Sequence, residues 1–167
     1  MRAGDPFPDW AWPKVGGGKL APAKAGGWRM LVVYRGKHCG LCRKYLGKLE
    51  SMRPGFDEAR ISVFALSADH GAKAEAQVRE GELGFEVGYD LNVGQMREMG
   101  LYVSPPTEEA ERPFAEPAVF VLNPDGLVQV ASISNAPFAR PELKTMLEGI
   151  EAARKDKAPI HGTYQGG

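Results

Sequence analysis

The sequence predicts an α/β protein in which helices flank both faces of a central, mixed β-sheet. Three apolar segments rich in β-branched residues have the length of buried strands, at residues 28–34, 61–66 and 117–122. A segment with helical spacing of apolar residues separates the first two strands, which favours parallel pairing. A turn signal follows the third strand, so an antiparallel hairpin is expected there.

The size and charge of the chain limit its possible organisation and partners. The 167 residues can form one core without disulfides, with residues 1–27 as an arm of the same domain, 28–154 as its body and 155–167 as a flexible tail. Lys plus Arg and Asp plus Glu both number 21, so we expect neither nucleic acid nor a membrane as a partner. No apolar signal segment or membrane span is recognisable, which predicts a cytoplasmic protein.

The first half of the chain is predicted as an arm followed by strand, helix, strand and helix. Four prolines, with glycine clusters at 16–18 and 26–27, indicate an extended arm, in which an edge hairpin could carry Trp10 and Trp12. Apolar spacing predicts a helix over about 40–52, which the Arg53-Pro54-Gly55 sequence should end. Ser67 or Asp69 should cap a second helix over about 70–80.

The second half is predicted as short elements followed by a hairpin and a final helix. Residues 85–91 alternate like a strand, 93–99 fit one or two helical turns, and the charged, proline-containing stretch 104–116 indicates a loop. Asn123-Pro-Asp-Gly126 is a turn signal before a strand at 127–133. Pro141 suits the first turn of a last helix, whose apolar stripe is Leu143, Met146, Leu147 and Ile150.

Both cysteines lie where the first strand gives way to the first helix. The unpaired N–H groups and the dipole of a helix N-terminus favour a thiolate there. Five Lys or Arg residues and His38 occur between positions 35 and 48 without an acid, which also lowers a thiol pKa. We predict that Cys39 is an exposed nucleophile and that Cys42, one turn into the helix on its apolar face, is the resolving thiol.

Other roles are open for the cysteines and their neighbours. A zinc ion would need two further ligands, and the three histidines have no finger-like spacing, so we expect no metal and no cofactor. His38 could tune the thiolate, relay a proton or pack at the strand end. Arg35 could pair with the thiolate or be a solvated charge. The acids of the 104–116 loop could be solvated or could select partners beside the cysteines.

Several motifs resemble a known family. A strand ending in an aromatic residue, a Cys-x-x-Cys sequence opening a helix, and a proline before a later strand and hairpin resemble the thioredoxin fold. GDPFPDWAWP at 4–13, VVYRGKHCGLCRKYLGKLE at 32–50 and AEPAVFVLNPDG at 115–126 are similar to the peroxiredoxin-like branch of the AhpC/TSA (redoxin) family. The resemblance implies a thioredoxin-like fold over nearly the whole chain.

The resemblance also implies roles for particular residues, with departures. When the sequence is aligned with thioredoxin, Cys39 and Cys42 align with the nucleophilic and resolving cysteines, and Pro117 aligns with the cis-proline that faces them. When the sequence is aligned with peroxiredoxins, Cys42 aligns with the peroxidatic cysteine, and the family's proline and threonine align with Arg35 and Cys39. The family's arginine falls near Pro117, so none of those three partners is at its place. Thioredoxin's buried aspartate and tryptophan fall on Val33 and His38, so proton handling should differ.

These observations lead to three functional hypotheses. The first is a thiol-disulfide oxidoreductase, which acts on a disulfide-bearing protein or small disulfide and is recycled by a dithiol reductant such as a thioredoxin-type protein. The second is a thiol-dependent peroxidase that reduces hydroperoxides and forms the same Cys39–Cys42 disulfide. The third is a redox-inactive binding or sensing module. The family resemblance also implies that the aromatic arm could mediate a homodimer.

Overall fold

A computed structural model of the protein describes residues 1–166, which form nine strands and four α-helices. In chain order the elements are β1 (Trp12–Pro13), β2 (Lys19–Leu20), β3 (Trp28–Val33), α1 (Gly40–Glu58), β4 (Ile61–Leu66), α2 (Gly71–Gly81), β5 (Glu86–Gly88), α3 (Val93–Glu98), β6 (Val103–Ser104), β7 (Phe114–Ala115), β8 (Ala118–Leu122), β9 (Val128–Ile133) and α4 (Leu143–Lys155).

The central sheet has five strands in the order β5-β4-β3-β8-β9. The middle strand β3 pairs in parallel with β4, with Leu31 opposite Phe64, and antiparallel with β8, with Leu31 opposite Phe120. Strands β8 and β9 form the predicted hairpin around the turn at residues 123–126. The predicted mixed sheet is therefore confirmed.

A core lies on each face of the sheet, as expected for a sheet with helices on both sides. On one face, α1 and α4 contribute buried residues that include Leu46, Phe56 and Ile150. On the other face, α3 and the N-terminal arm contribute Met96 and Trp12. Within the described residues, no helix combines the length and apolar character needed to cross a membrane.

The N-terminal arm closes over one face of the sheet. Its predicted hairpin is present, because β1 and β2 pair with Trp12 opposite Leu20, and both side chains are buried. Lys14 forms a bridge with Gly88 at one edge of the sheet, and Pro6 forms another with Leu127 near the other edge. The Nε1–H of Trp12 donates a hydrogen bond to Gln95 Oε1 (2.9 Å). The arm thus contributes to the core of the fold.

The ends of the first two long helices differ from the predictions. Helix α1 does not end at residues 53–55 but continues through Pro54 to Glu58, since Pro54 faces solvent and the apolar stripe extends to the fully buried Phe56. Neither Ser67 nor Asp69 caps α2. The N-cap is His70, whose side chain makes no capping hydrogen bond. Asp69 does not cap the helix because its carboxylate accepts the backbone N–H of Lys37 (2.8 Å).

Smaller differences occur in the second half of the chain. The strand predicted over 85–91 is limited to β5, and the loop predicted over 104–116 contains β7, which pairs with β6. Pro141 precedes α4, whose N-cap is Glu142, and the Glu142 carboxylate accepts the N–H of Thr145 (2.7 Å). The flexible character of residues 155–167 stays a prediction. Lys155 is the last residue of α4, and Gly167 lies outside the described residues.

Candidate active site

The two cysteines lie together at the N-terminus of α1, at the end of β3. Cys39 is the N-cap residue with extended backbone, and its Sγ accepts the backbone N–H of Cys42 (3.2 Å). Both side chains are free thiols in this structure. The predicted juxtaposition follows from the fold, because a strand–helix junction places residues i and i+3 on one turn.

Both sulfurs are almost completely removed from solvent. Cys39 is only 4% exposed and Cys42 is fully buried. The prediction of an exposed Cys39 is therefore wrong, because the loop before α4 lies against the start of α1 and places an arginine on the thiols. A reactant that reaches these sulfurs without a rearrangement of that loop must be small.

Arg140 is the residue of this loop that contacts the sulfurs. Its Nη2 lies 2.8 Å from Cys42 Sγ and 3.9 Å from Cys39 Sγ, while its Nε–H donates to the carbonyl of Pro137 (2.8 Å). The guanidinium also lies over the ring of Tyr45, 5.2 Å from its centroid. The Tyr45 hydroxyl donates to the carbonyl of Pro141 (2.7 Å) and so helps to hold the loop.

Arg140 was missed in the sequence-based prediction. It lies 98 residues from Cys42 in a segment without periodicity, and no motif marks it. The family resemblance places an arginine near Pro117, but this chain has none at that place. The arginine that contacts the sulfurs, Arg140, comes from another loop. Only the path of the chain between β9 and α4 shows the contact.

The surroundings shift the pKa values of the two thiols in opposite directions. The pKa of Cys39 is lowered by hydrogen bonds from the Cys42 thiol and from the Cys42 backbone N–H, and by Arg35 and Arg140, against the opposing effect of burial. The pKa of Cys42 is raised because its thiol donates to Cys39 and because it is buried. The two shifts run in opposite directions, which favours a negative charge on Cys39 over one on Cys42.

Arg35 lies beside Cys39 and is also paired with an acid. Its Nε is 3.0 Å from Glu116 Oε2, and its guanidinium lies 5.0 Å from the centroid of the Phe114 ring. The Ser104 hydroxyl donates to the other Glu116 oxygen (2.6 Å). Glu116 and Phe114 thus hold the Arg35 side chain at the site.

His38 is close to the pair but has no hydrogen bond to it. Its ring packs edge-on against Phe114, with 4.7 Å between centroids, and its two ring nitrogens have no hydrogen-bond partner within residues 1–166. Burial, together with the charge of Arg35, lowers the pKa of His38. The imidazole is therefore neutral near pH 7 and brings no positive charge to the thiolate.

The peptide bond before Pro117 is trans, unlike that of the cis-proline of thioredoxin. No peptide bond in residues 1–166 is cis, so the cis-proline expected from the resemblance is wrong here. Pro117 nevertheless precedes β8 beside the site, and it lines a narrow space together with Tyr45 and Arg140. Its role in catalysis stays a prediction.

The acidic loop that was considered for partner selection is tied to α2. Glu111 pairs with Lys73 (3.2 Å) and with His70 (3.4 Å), and Lys73 also donates to the carbonyl of Glu109. His70 therefore serves as a contact for this loop rather than as a member of the cysteine site.

Two adjacent thiols at a helix N-terminus, with cations beside them and this sheet order, define a thiol-dependent oxidoreductase of thioredoxin-like fold. The chain belongs to the AhpC/TSA family, because the model of that family matches residues 3–131. No match was found among curated proteins.

Solved structures with this fold include several peroxiredoxins. Peroxiredoxin 6 of Arenicola marina, as a cysteine-to-serine mutant, aligns with a TM-score of 0.82 at 17% identity, covering 100% of this chain and 81% of that chain. The peroxidoxin BcpB from Mycobacterium tuberculosis has a TM-score of 0.74 at 16% identity, covering 95% and 99%. The reduced 2-Cys peroxiredoxin of Plasmodium vivax has a TM-score of 0.79 at 14% identity, covering 95% and 100%. These similarities show the fold.

Proposed function

We propose that the protein is a peroxidase that reduces a small hydroperoxide with Cys39 and Cys42 and is then re-reduced by a dithiol. The supporting observation is the Arg140 guanidinium, which lies within 3.9 Å of both sulfurs in a site nearly closed to solvent. A fixed cation in such a site stabilises both a thiolate and the charge that develops on a departing oxygen. Family membership supports the same choice of reaction.

The reaction follows from the different pKa values of the two thiols. The Cys39 thiolate attacks one peroxide oxygen, the O–O bond breaks, and the departing alkoxide takes a proton from water and leaves as the alcohol. Cys39 is then a sulfenic acid. The Cys42 thiol attacks this sulfur and loses its proton, and the hydroxide leaves as water, so that the Cys39–Cys42 disulfide forms.

Three further residues have supporting roles in this proposal. Arg35 stabilises the Cys39 thiolate, since its contact lowers the thiol pKa. His38 has a neutral ring without hydrogen-bond partners in the described chain, which suits it to relay the proton from water to the alkoxide. Pro117 shapes the wall next to Arg140.

Thiol-disulfide exchange is the second candidate function. Its support comes from the surface next to the cysteines, where Leu41 and Phe138 are 47% and 81% exposed and could contact a larger substrate. The Cys39 thiolate would attack a substrate disulfide, and Cys42 would displace the reduced product to give the same intramolecular disulfide.

The proposal is tested by treating the reduced protein with limiting hydrogen peroxide or tert-butyl hydroperoxide. We expect two thiols to be lost for each hydroperoxide consumed. In Cys42→Ser, dimedone should label Cys39, as seen by peptide mass spectrometry. Cys39→Ser should react at least about tenfold more slowly, because an unactivated thiol is only a few per cent ionised at pH 7.

The alternatives give different results in the same preparations. If hydroperoxides are not consumed while insulin is reduced in the presence of dithiothreitol, the exchange activity replaces the peroxidase. A protein that is inactive in both assays would be a binding or sensing module, and the proposal would be wrong.

A further inference from the structure

A groove on the surface lies along the start of α1, beside the cysteine site. It is lined by Leu41, Lys44, Tyr45 and Lys48 of α1, and by Phe138 and Pro141 of the loop before α4. Arg140, which contacts both sulfurs, is also part of the lining, so the groove lies next to the buried thiols. We call this surface the α1 groove.

The α1 groove has apolar side chains that no part of the described chain covers. Phe138 is 81% exposed and Leu41, which lies between the two cysteines in sequence, is 47% exposed. Of the large apolar side chains exposed in residues 1–166, these two flank the cysteine site. Exposed aromatic and aliphatic side chains beside a reactive centre are typical of a contact surface for another protein.

The rim of the groove is positively charged. Lys44 and Lys48 are exposed in the groove lining, and neither has a carboxylate oxygen within 4.0 Å in the described part of the chain. The acid in the groove lining, Glu142, already accepts hydrogen bonds from the backbone N–H and hydroxyl of Thr145. Since the whole chain has zero net charge, this positive charge is local and favours an acidic partner.

We infer that the α1 groove binds the protein that re-reduces the Cys39–Cys42 disulfide, and that this reductant presents acidic residues around an apolar side chain next to its dithiol. The inference rests on the proposed function, which requires a dithiol reductant. Because both sulfurs are buried, this step requires the loop before α4 to move away from them. The reductant thiolate then attacks Cys39 Sγ, the less buried sulfur, and Cys42 leaves as a thiolate that is then protonated. The second reductant thiol attacks the mixed disulfide, which releases Cys39 as a thiolate and leaves the reductant oxidised.

The test uses three synthetic dithiol peptides with a common Cys-Gly-Gly-Cys centre. The first has glutamates and a phenylalanine in its flanks, the second has lysines in place of the glutamates, and the third has serine in place of the phenylalanine. The oxidised protein is mixed with each peptide, quenched with acid, alkylated and analysed by mass spectrometry. Each rate is divided by the rate of the same peptide with 2,2′-dipyridyl disulfide, which removes differences in thiol reactivity.

We expect the acidic, phenylalanine-containing peptide to reduce the protein about tenfold faster than the lysine peptide at low salt, and the difference to fall as salt is added. Lys48→Glu should abolish the preference for acidic flanks, and Phe138→Ser should abolish the preference for phenylalanine over serine. The matched controls Lys19→Glu and Tyr164→Ser change an exposed cation and an exposed aromatic ring outside the α1 groove and should keep both preferences.

Equal normalised rates for the three peptides with the unmodified protein would overturn the inference, and so would preferences that survive both groove variants. The disulfide can be made with diamide if hydroperoxides fail to form it. Failure of the peroxidase reaction is therefore distinguishable from failure of the docking surface.

Discussion

Arg140 places a full positive charge against two thiols that have almost no contact with water. In such surroundings a charge interacts more strongly with a neighbouring group than it would in solvent, because little water screens it. One thiolate in this pair gives the guanidinium a counter-charge, whereas two neutral thiols would leave it without one at this point. The geometry thus favours ionisation of the pair.

Arg140→Met should raise the pKa of Cys39 by about one pH unit or more, since an adjacent opposite charge lowers a pKa by that amount. Only the thiolate is alkylated, so the rate rises with pH and levels off above the pKa. The pKa of Cys39 is lowered in the unmodified protein, so its midpoint should lie below the ordinary value of about 8.5.

The measurement is the pH dependence of iodoacetamide labelling of Cys39, read by peptide mass spectrometry. Arg140→Lys keeps the charge and should give a midpoint between those of the unmodified protein and Arg140→Met. Identical midpoints in all three proteins would show that Arg140 does not act on the thiolate.

Gly36 is predicted to be intolerant of even a methyl group. Its φ is +140°, and an added Cβ would lie 2.7 Å from Asp69 Oδ1 and 2.9 Å from His38 Nδ1. Gly36→Ala should therefore lower the free energy of unfolding by about 1–3 kcal/mol in urea denaturation. Gly47→Ala is the control, because no atom lies within 4 Å of its Cβ position and alanine favours a helix. A Gly36→Ala protein as stable as Gly47→Ala would contradict the steric argument.

At the scale of elements, α1 serves both the core and the active site. Its N-terminus holds the cysteines, and its buried stripe from Cys42 through Leu46 and Leu49 to Phe56 fixes it on the sheet. The stripe continues past Pro54, which explains why a residue that normally ends a helix does not end this one.

Pro54→Ala should stabilise the protein. Pro54 is exposed, so alanine removes no buried contact, and it restores an N–H that can donate to the carbonyl of Glu50. We expect the free energy of unfolding to rise by about 1–3 kcal/mol in denaturant titrations. An unchanged or lower stability would mean that the surrounding turns have adapted to the proline.

At the scale of the whole molecule, the arm and the sheet should unfold together. Trp12 is 2% exposed and hydrogen-bonded to Gln95, so Trp12→Ala should lower the stability by about 3–5 kcal/mol. Trp10→Ala should cost less, because Trp10 is only partly buried. Chemical denaturation followed by fluorescence and circular dichroism should give coincident transitions. Separate transitions for the two probes would show that residues 1–27 form an independent unit.

Much of the architecture could be predicted because local patterns and tertiary contacts agree. The strand at 28–33, the hairpin at 118–133 and the helix at 93–98 have clear periodicity or turn signals, and each was found close to its predicted place. Predictions failed where a tertiary contact replaced a local one. Asp69 was predicted as a helix cap, but its carboxylate accepts the backbone N–H of Lys37. The stretch around Phe114 was predicted as a loop because it has no periodicity, but it pairs with β6.

The sequence by itself determined the mixed α/β fold and the position of Cys39 and Cys42 at a strand–helix junction, because both depend on residues close together in the chain. Only the tertiary structure decided that the thiols are buried, that the Pro117 bond is trans, and that Arg140 contacts both sulfurs. Burial and charge pairing depend on segments brought together from distant parts of the chain, and no local pattern in the amino-acid sequence records which segments will meet.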